Sequence, residues 1–335
     1  MSGEVAQLSQ APVSLKGRPT GPGTGRQVQA ESTLTRLGRG AMPFLFVAPT
    51  LLLISAVVFY PIFNTFLMSL SHVNSVAQPT GFAGLQHYTE LFRTPLFWRV
   101  LGQTAVWTGL VVGITTTIAM PVALALNMQF PGRRIARAVL IIPWAASLTI
   151  NAIIWRWILD GQYSIITALL MRLGWIEEPI VWLGTPAEAW VAIIFVGILV
   201  SIPFTSFSLL AGLQSIPGEL YEAARVDGAG FWLGFRHITL PMMRQALTVT
   251  TLMNVIYVFN SFPIIWVLTE GGPAYRTDIL ITYLYKEAFR NGRFGPASAM
   301  AMITFLILLA FSLGFTRLTA ERERREDYGG SQAQG

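Results

Sequence analysis

Three acidic residues lie close together in this sequence, and their setting suits docking better than catalysis. They are Glu219, Glu222 and Asp227. Pro217 suits the first turn of a helix, and carboxylates in that turn are favourable near the positive end of the helix dipole. Asp227 and Gly228 then signal a turn. The pattern predicts a short surface helix that ends at this turn.

A second short helix is predicted after the turn, with Phe231 and Phe235 on one face. In the first helix, Leu220, Ala223 and Ala224 follow helical spacing and form a small apolar face. Small side chains would let a partner approach closely, so the two helices are suited to docking. The alternative is an amphipathic loop that only lies on the lipid surface, and periodicity alone leaves both interpretations open.

The usual catalytic and metal-binding sets are missing from the sequence. There is no cysteine, which excludes disulfides, cysteine-ligated zinc and thiol nucleophiles. The three histidines, His72, His87 and His237, are scattered and form no HExxH-type ligand pair. Neither lysine, Lys16 or Lys286, follows the glycines of a phosphate-binding loop, so the chain is no P-loop ATPase. We therefore predict no catalytic residue, no metal site and no cofactor bound by this chain.

Composition indicates a membrane protein. Of the 335 residues, 12% are charged and 53% are hydrophobic, and the mean hydropathy is +0.54. Soluble domains carry about 25% charged residues. This composition excludes a soluble enzyme, a nucleic-acid-binding domain and a disordered chain. An intramembrane enzyme would need a buried catalytic set, and the apolar segments contain none.

Six windows of at least 18 residues contain no Asp, Glu, Lys or Arg. A helix needs about 20 apolar residues to cross the hydrocarbon core. The windows predict an all-α membrane protein with six transmembrane helices near 43–70, 103–128, 137–159, 189–213, 245–269 and 297–317. The third is the weakest prediction, because Arg137 and Arg156 lie close to its ends and must reach the interface.

The distribution of positive charge predicts the orientation of the spans. Of the 23 Lys and Arg residues, 15 lie in the two tails and in the loops on the same side as the tails. The positive-inside rule then places both termini in the cytoplasm. The sequence predicts a flexible cytoplasmic tail at 1–40, a transmembrane domain at 41–318 and a charged cytoplasmic tail at 319–335. The transmembrane domain contains a cytoplasmic loop at 214–244.

Spans 4 and 5 flank the loop and carry uncharged polar and aromatic side chains that suit a neutral solute such as a sugar. These candidates for a solute pathway are Ser201, Phe204, Thr205, Asn254, Tyr257, Asn260 and Ser261. Asn254, Tyr257 and Ser261 are predicted to share one helix face. The alternative is that the hydroxyls bond back to the helix and the asparagines bridge helices. No window contains an acidic residue, which argues against ion-coupled secondary transport.

The loop carries a spaced motif: Glu222-Ala223-Ala224, three residues, Gly228, nine residues, then Ile238-Thr239-Leu240-Pro241. This motif resembles the EAA loop of ABC importer permeases. The resemblance implies a type I ABC importer transmembrane domain, whose loop forms coupling helices in a cleft of the ATP-hydrolysing subunit. It implies ATPase contacts at Glu222, Ala223, Ala224, Gly228, Ala229 and Gly230. We add Glu219 and Asp227, the other two acidic residues of this loop. Glu222 would be the polar anchor, facing an Arg or Lys of the partner.

A second resemblance narrows the branch. The segments are Leu268-Thr269-Glu270-Gly271-Gly272-Pro273, Tyr283 to Phe289, Gly295, and Ala297 to Ala299. They are similar to maltose-type carbohydrate permeases, in a short six-span form of the MalF-side subunit. That family places sugar contacts on spans 4 and 5, which favours Ser201, Phe204, Asn254 and Ser261.

The resemblance also implies the partners and the location. We expect a second, MalG-like permease, two ATP-binding cassette subunits that hold ATP and Mg, and an extracytoplasmic sugar-binding protein. The chain would span the inner membrane of a prokaryote, in contact with lipid and with no nucleic acid. Two alternatives remain: a permease for another solute such as glycerol-phosphate, a polyamine or a peptide, and a secondary transporter or channel that works without nucleotide.

Overall fold

A computed structural model describes residues 47–161 and 164–332. The chain divides into two compact units, Met1–Phe59 and Tyr60–Gly335. In the first unit the described residues are helical, and the last five, Ser55–Phe59, form a π-helix. The predicted tail 1–40 lies outside the described residues.

The second unit is mostly helical. Its helices are α1 Tyr60–Ser69, α2 Gln86–Arg93, α3 Pro95–Asn127, α4 Arg133–Ala145, α5 Leu148–Ile158, α6 Ile165–Arg172, α7 Pro186–Gln214, α8 Gly218–Val226, α9 Phe231–Gly234, α10 Leu240–Met242, α11 Arg244–Phe259, α12 Phe262–Thr269, α13 Leu280–Tyr285 and α14 Phe294–Gln332. Two π-helical turns, Phe235–Thr239 and Lys286–Arg290, follow α9 and α13.

Five described helical stretches are long and apolar enough to cross a membrane: Val47–Ser69, Pro95–Asn127, Pro186–Gln214, Arg244–Thr269 and Phe294–Thr319. A sixth results if the bent pair α4 and α5 is one span. The second span begins eight residues before its predicted start at 103, because Pro95 opens the helix and Arg99 is accommodated within it. The last helix continues to Gln332, through most of the predicted charged tail.

The third predicted span is broken. Helices α4 and α5 meet at an angle of 94°. Pro143 lies inside the last turn of α4 and cannot donate a backbone hydrogen bond. Ser147 then accepts a hydrogen bond from the amide of Ile150 and begins a new helix. The helix predicted near 137–159 is therefore two helices joined by a sharp bend.

Span 5 is also interrupted, between α11 and α12. Asn260 ends the first helix and Ser261 precedes the second. Pro263 lies at the start of α12 and has no amide hydrogen to donate to the carbonyl four residues earlier. Asn260 and Ser261, two of the candidates for the solute pathway, therefore lie at this break and not within a continuous helix.

A small hairpin follows α1, outside the predicted spans. Strands β1 Ser71–Val73 and β2 Pro79–Phe82 pair in antiparallel fashion, with Ser71 opposite Phe82 and a bulge between His72 and Val73. The expectation of a purely helical chain is corrected at this hairpin.

Helices α3 and α7 form the most extensive helix pair, and α11 packs against both. Buried apolar side chains fill three clusters along them. The first cluster includes Trp107, Ile193 and Ile265, and the second includes Phe97 and Met300. The third is described by Leu209 and Met243 and lies beside the loop 214–244. Packing among α3, α7 and α11 therefore fixes α7 and α11, the two helices that flank this loop.

Candidate functional site

The helix predicted around the three carboxylates is α8, Gly218–Val226, and Glu219 lies in its first turn. Gly228 follows with a left-handed backbone, φ +81°. The amide of Ala229 donates to the carbonyl of Ala224 over 2.8 Å. This is the usual hydrogen bond of a glycine-terminated helix end, so the glycine stops α8 where the sequence predicts the turn.

The small apolar face of α8 is left uncovered by the described chain. Glu222 and Ala223 are exposed and Ala224 is half-buried. Leu220 is 41% exposed. A helix that presents a carboxylate beside small apolar side chains can be approached closely by a partner surface.

One polar contact joins α8 to the entry of span 5. The hydroxyls of Tyr221 and Thr239 are 2.9 Å apart. Thr239 is buried and ends the π-helical turn that leads into α10 and α11. This contact therefore ties α8 to the turn that leads into span 5.

The second short helix carries an aromatic cluster. The rings of Phe231 and Phe235 stack with centroids 6.4 Å apart, which confirms their predicted common face. Trp232 meets Phe235 edge-on at 6.0 Å. Between the two short helices lies an open cavity of about 340 Å³, lined by Ala224, Asp227, Ala229, Leu233, Gly234, His237 and Ile238.

Helices α7 and α11 form an antiparallel hairpin around the loop. Near the loop they approach so closely that a Cβ on Gly212 would lie 2.4 Å from the Cβ of Ala246. Further along, Asn254 Nδ2 donates to Thr205 Oγ1 over 2.9 Å. The two contacts fix the hairpin both at its base and in its middle.

Four of the pathway candidates are buried between helices. These are Ser201, Thr205, Asn254 and Ser261. The hydroxyls of Ser201 and Thr205 bond back to the carbonyls of Gly197 and Ser201, at 2.7 and 2.8 Å. Ser261 Oγ and Asn254 Oδ1 are buried and have no partner among the described residues. These contacts are typical of helix association, and a role in the pathway stays a prediction.

The other three candidates lie at the surface of the chain. Phe204 is 37% exposed and Tyr257 is 44% exposed. Asn260 is exposed and its amide bonds to the carbonyl of Ile256. Of the three residues predicted to share a face, Tyr257 is exposed, Asn254 is buried, and Ser261 lies beyond the end of α11. Residues three apart differ by about 60° around a helix, which is enough to bring Tyr257 out of the buried stripe.

A buried tryptophan that the sequence did not single out connects three helices in the middle of the bundle. Trp107 is fully buried, and its indole Nε1 donates to the carbonyl of Val258 over 2.9 Å. A Cβ on Gly197 would lie 2.5 Å from the tip of this ring. The indole therefore requires glycine on α7 and satisfies a carbonyl near the end of α11.

The segment between spans 5 and 6 contains a buried ion pair, also missed from the sequence. Lys286 Nζ and Asp278 Oδ2 are 2.7 Å apart, and Thr282 donates to the same carboxylate. The ammonium group also lies 4.5 Å from the ring centre of Tyr275. Burial raises the pKa of Asp278, while the hydrogen bond and charge of Lys286 oppose that shift. Asp278 and Lys286 are eight residues apart, which is not one of the spacings that predicts an ion pair, so the sequence did not reveal this contact.

The same segment is anchored to α3 and α7. The side chains of Gln103 and Trp190 both donate to the carbonyl of Arg276. Thr104 Oγ1 accepts from the amide of Leu280 over 2.8 Å. These contacts bind the glycine-rich segment after span 5 to the two central helices.

The histidines form no metal site. His72 and His87 have ring centres 5.9 Å apart, edge to face, and His237 bonds to the carbonyl of Leu233. Within residues 47–161 and 164–332, no group of three or more His, Cys, Asp or Glu could hold a metal ion.

Comparison with known proteins gives one family and several relatives. The profile described as binding-protein-dependent transport system inner membrane component matches residues 109–325. A probable ABC transporter permease of Brucella suis biovar 1 is 45% identical over 283 residues, or 84% of this chain and 98% of that protein. The trehalose/maltose transport system permease MalF of Thermococcus litoralis is 33% identical over 275 residues, or 82% and 92%.

A more distant relative and a solved structure agree with this family. The diacetylchitobiose uptake system permease DasB of Streptomyces coelicolor is 29% identical over 325 residues, or 94% of this chain and 99% of its own. One chain of a bacterial ABC transporter that imports the acidic polysaccharide alginate aligns with a TM-score of 0.74. At 22% identity, covering 86% of this chain and 98% of that one, this match shows a shared fold.

Proposed function

The chain belongs to the family of binding-protein-dependent transport system inner membrane components, and we propose that it is a sugar-translocating permease subunit of an ATP-driven ABC importer. The observation that carries this proposal is the extent of its similarity to sugar permeases. The trehalose/maltose and diacetylchitobiose relatives match more than four fifths of the chain. A di- or oligosaccharide is therefore the proposed solute.

The loop 214–244 is the proposed coupling element. We propose that α8 docks into a cleft of a separate ATPase subunit, with Glu222 facing a basic side chain. Exposed Ala223 and half-buried Ala224 support a close approach. Glu219, Asp227, Gly228, Ala229 and Gly230 complete the proposed contact surface. ATP and Mg belong to that subunit, and this chain hydrolyses nothing.

Movement of α8 would reach the spans through the contacts already described. The Tyr221–Thr239 hydrogen bond links α8 to the entry of span 5. The close approach of Gly212 and Ala246 links the base of span 5 to span 4. Closure of the ATPase would then tilt α7 and α11 as one hairpin, a rigid-body switch between access states.

The proposed assembly contains four further proteins. They are a second, MalG-like permease, two ATP-binding cassette subunits and an extracytoplasmic binding protein that delivers the sugar. The alginate transporter with the similar fold has been solved with a periplasmic protein bound to an alginate pentasaccharide, which supports delivery by such a protein. We place both termini in the cytoplasm and the chain in the inner membrane, from the charge bias of the loops.

The solute pathway is proposed to lie along the exposed side of spans 4 and 5. Phe204 and Tyr257 offer aromatic faces, and Asn260 offers an amide at the helix break. The buried set Ser201, Thr205, Asn254 and Ser261 belongs to the same proposed pathway and lies between the helices. Aromatic faces and uncharged amides suit a neutral sugar.

The test is transport by the assembled importer in proteoliposomes, with a panel of solutes. We expect ATP-dependent uptake of a di- or oligosaccharide in the presence of the binding protein, and none without ATP. Uptake restricted to glycerol-phosphate or a polyamine would overturn the sugar assignment. Gradient-driven uptake by this chain alone, without ATPase, would overturn the importer assignment.

A further inference from the structure

A positively charged pocket lies where the second short helix meets span 5. Trp232, Arg236, Leu240 and Arg244 recur at intervals of four residues, and Leu247 follows three residues later. Side chains at this spacing share one side of a helix. They line an open pocket of about 620 Å³ together with two further apolar residues.

The lining combines two guanidinium groups with an apolar floor. No acidic residue is among the side chains that line the pocket. Arg236 is exposed, and its side chain makes no hydrogen bond or ion pair within the described ranges. Trp232 is 76% exposed. Guanidinium groups bind phosphate oxygens in a bidentate geometry, and tryptophan prefers the boundary between water and hydrocarbon.

The position of the pocket identifies the kind of ligand. Arg244 is the first residue of the candidate span Arg244–Thr269. The pocket therefore lies at the end of a candidate span, which is where a membrane-crossing helix meets the lipid headgroups. Basic pockets at this depth bind anionic headgroups. We propose that this pocket binds an anionic phospholipid, with its phosphate on the guanidinium group of Arg236 and its glycerol and upper acyl chains against Leu240, Leu247 and Trp232.

This surface suits a lipid better than a protein partner. None of the residues proposed to contact the ATPase, Glu222 and its neighbours through Gly230, lines the pocket. The aromatic side chain of Trp232 and the leucines match acyl chains, whereas a free phosphate would need only the arginines. The lipid site is separate from the proposed coupling role and does not depend on it.

The test is native mass spectrometry of the full chain, purified without ATPase or binding protein, with phosphatidylglycerol and phosphatidylcholine as probes. We expect a phosphatidylglycerol adduct that excess inorganic phosphate does not displace, and a weaker phosphatidylcholine adduct. Arg236→Gln should lower phosphatidylglycerol affinity about five- to tenfold, since each basic residue contributes about 1 kcal/mol near a charged headgroup. Arg236→Lys should retain most of the binding.

Arg134→Gln is the matched control, because Arg134 is an exposed arginine outside the pocket. It should bind phosphatidylglycerol like the unmodified chain. Equal affinity of the two lipids, or unchanged phosphatidylglycerol binding by Arg236→Gln, would overturn the proposal. In a separate pull-down with the ATPase subunit, an Arg236→Gln variant that keeps its lipid but loses ATPase binding would assign the surface to the ATPase and overturn the proposal. Since no transport is measured, these outcomes leave the proposed import function untouched.

Discussion

Asn254 Nδ2 donates a hydrogen bond to Thr205 Oγ1 over 2.9 Å and joins the two helices that flank the proposed coupling loop. The donor is almost fully buried, and the acceptor is fully buried. The contact lies two turns of α7 above the close approach of Gly212 to Ala246. It makes α7 and α11 one unit, which is what a coupling element at their base requires.

Removing both partners of this hydrogen bond should cost less than the sum of the two single removals. Thr205→Val leaves the Asn254 amide buried without its partner, and we expect a loss of about 1–3 kcal/mol. Asn254→Leu also removes an oxygen that has no partner in the described part of the chain. The double variant should therefore lose less stability than the two single variants summed, as measured by thermal unfolding in detergent. Strict additivity would contradict this expectation.

The packing of Trp107 predicts the effect of a single methyl group. In Gly197→Ala the new Cβ would lie 2.5 Å from the indole ring. We expect a destabilisation of about 1–3 kcal/mol from overpacking. Gly109→Ala on α3 is the control, because a Cβ there meets nothing within 4 Å. Equal melting temperatures for the two variants would show that the indole of Trp107 does not limit the size of the side chain at position 197.

The sequence located the long apolar helices but missed their interruptions. Charge-free windows report apolarity, and they identified every candidate span of the described chain. They do not report where a backbone bends. Pro143 and Pro263 were visible, but many membrane helices accommodate proline because their neighbours satisfy the freed carbonyl. Only the tertiary setting decides between a kink and the 94° break between α4 and α5.

The exposed aromatic residues of spans 4 and 5 predict a separation of transport from stability. Tyr257→Ala should reduce sugar uptake at limiting sugar by about tenfold, or about 1.4 kcal/mol, while the melting temperature changes little. Tyr60→Ala is the control, because Tyr60 is a 67% exposed tyrosine outside these helices. Proteoliposome uptake and thermal unfolding are the two measurements. Normal uptake by Tyr257→Ala would remove this residue from the pathway.

The buried ion pair between Asp278 and Lys286 predicts a pH-dependent variant. Lys286→Met leaves the carboxylate unpaired and should cost about 3–5 kcal/mol at about pH 7. Burial already raises the pKa of Asp278, and loss of the ammonium group removes the main opposing influence. A carboxyl whose pKa is higher in the folded state favours folding when protonated. The variant should therefore gain stability relative to the unmodified chain as the pH falls from about 7 to about 5.

The control for this experiment is the double variant Asp278→Asn with Lys286→Met. It carries neither charge, so its melting temperature should follow the pH dependence of the rest of the protein. A Lys286→Met melting curve that runs parallel to that of the double variant over this pH range would contradict a buried, unpaired carboxylate.

The surface loop could be predicted in more detail than the solute pathway. Pro217, Gly228 and the spacing of Phe231 and Phe235 are local signals, because each acts on the backbone or on neighbours in the same short helix. The pathway depends on which side of a helix meets other helices. Tyr257 and Ser261 have similar polarity in the sequence, yet only Ser261 is buried. That difference depends on which neighbouring elements cover each side chain, which the sequence does not reveal.

The most direct test of the proposed import function is ATP-driven sugar uptake by the importer assembled with Glu222→Lys. Glu222 lies exposed on α8, where the carboxylate is proposed to meet a basic side chain of the ATPase. Glu178→Lys, at an exposed glutamate outside the loop, is the matched charge reversal. We predict that Glu222→Lys inserts normally but loses ATPase binding and uptake, while Glu178→Lys retains both. Uptake by Glu222→Lys at the unmodified rate would contradict the assignment of this loop as the coupling element.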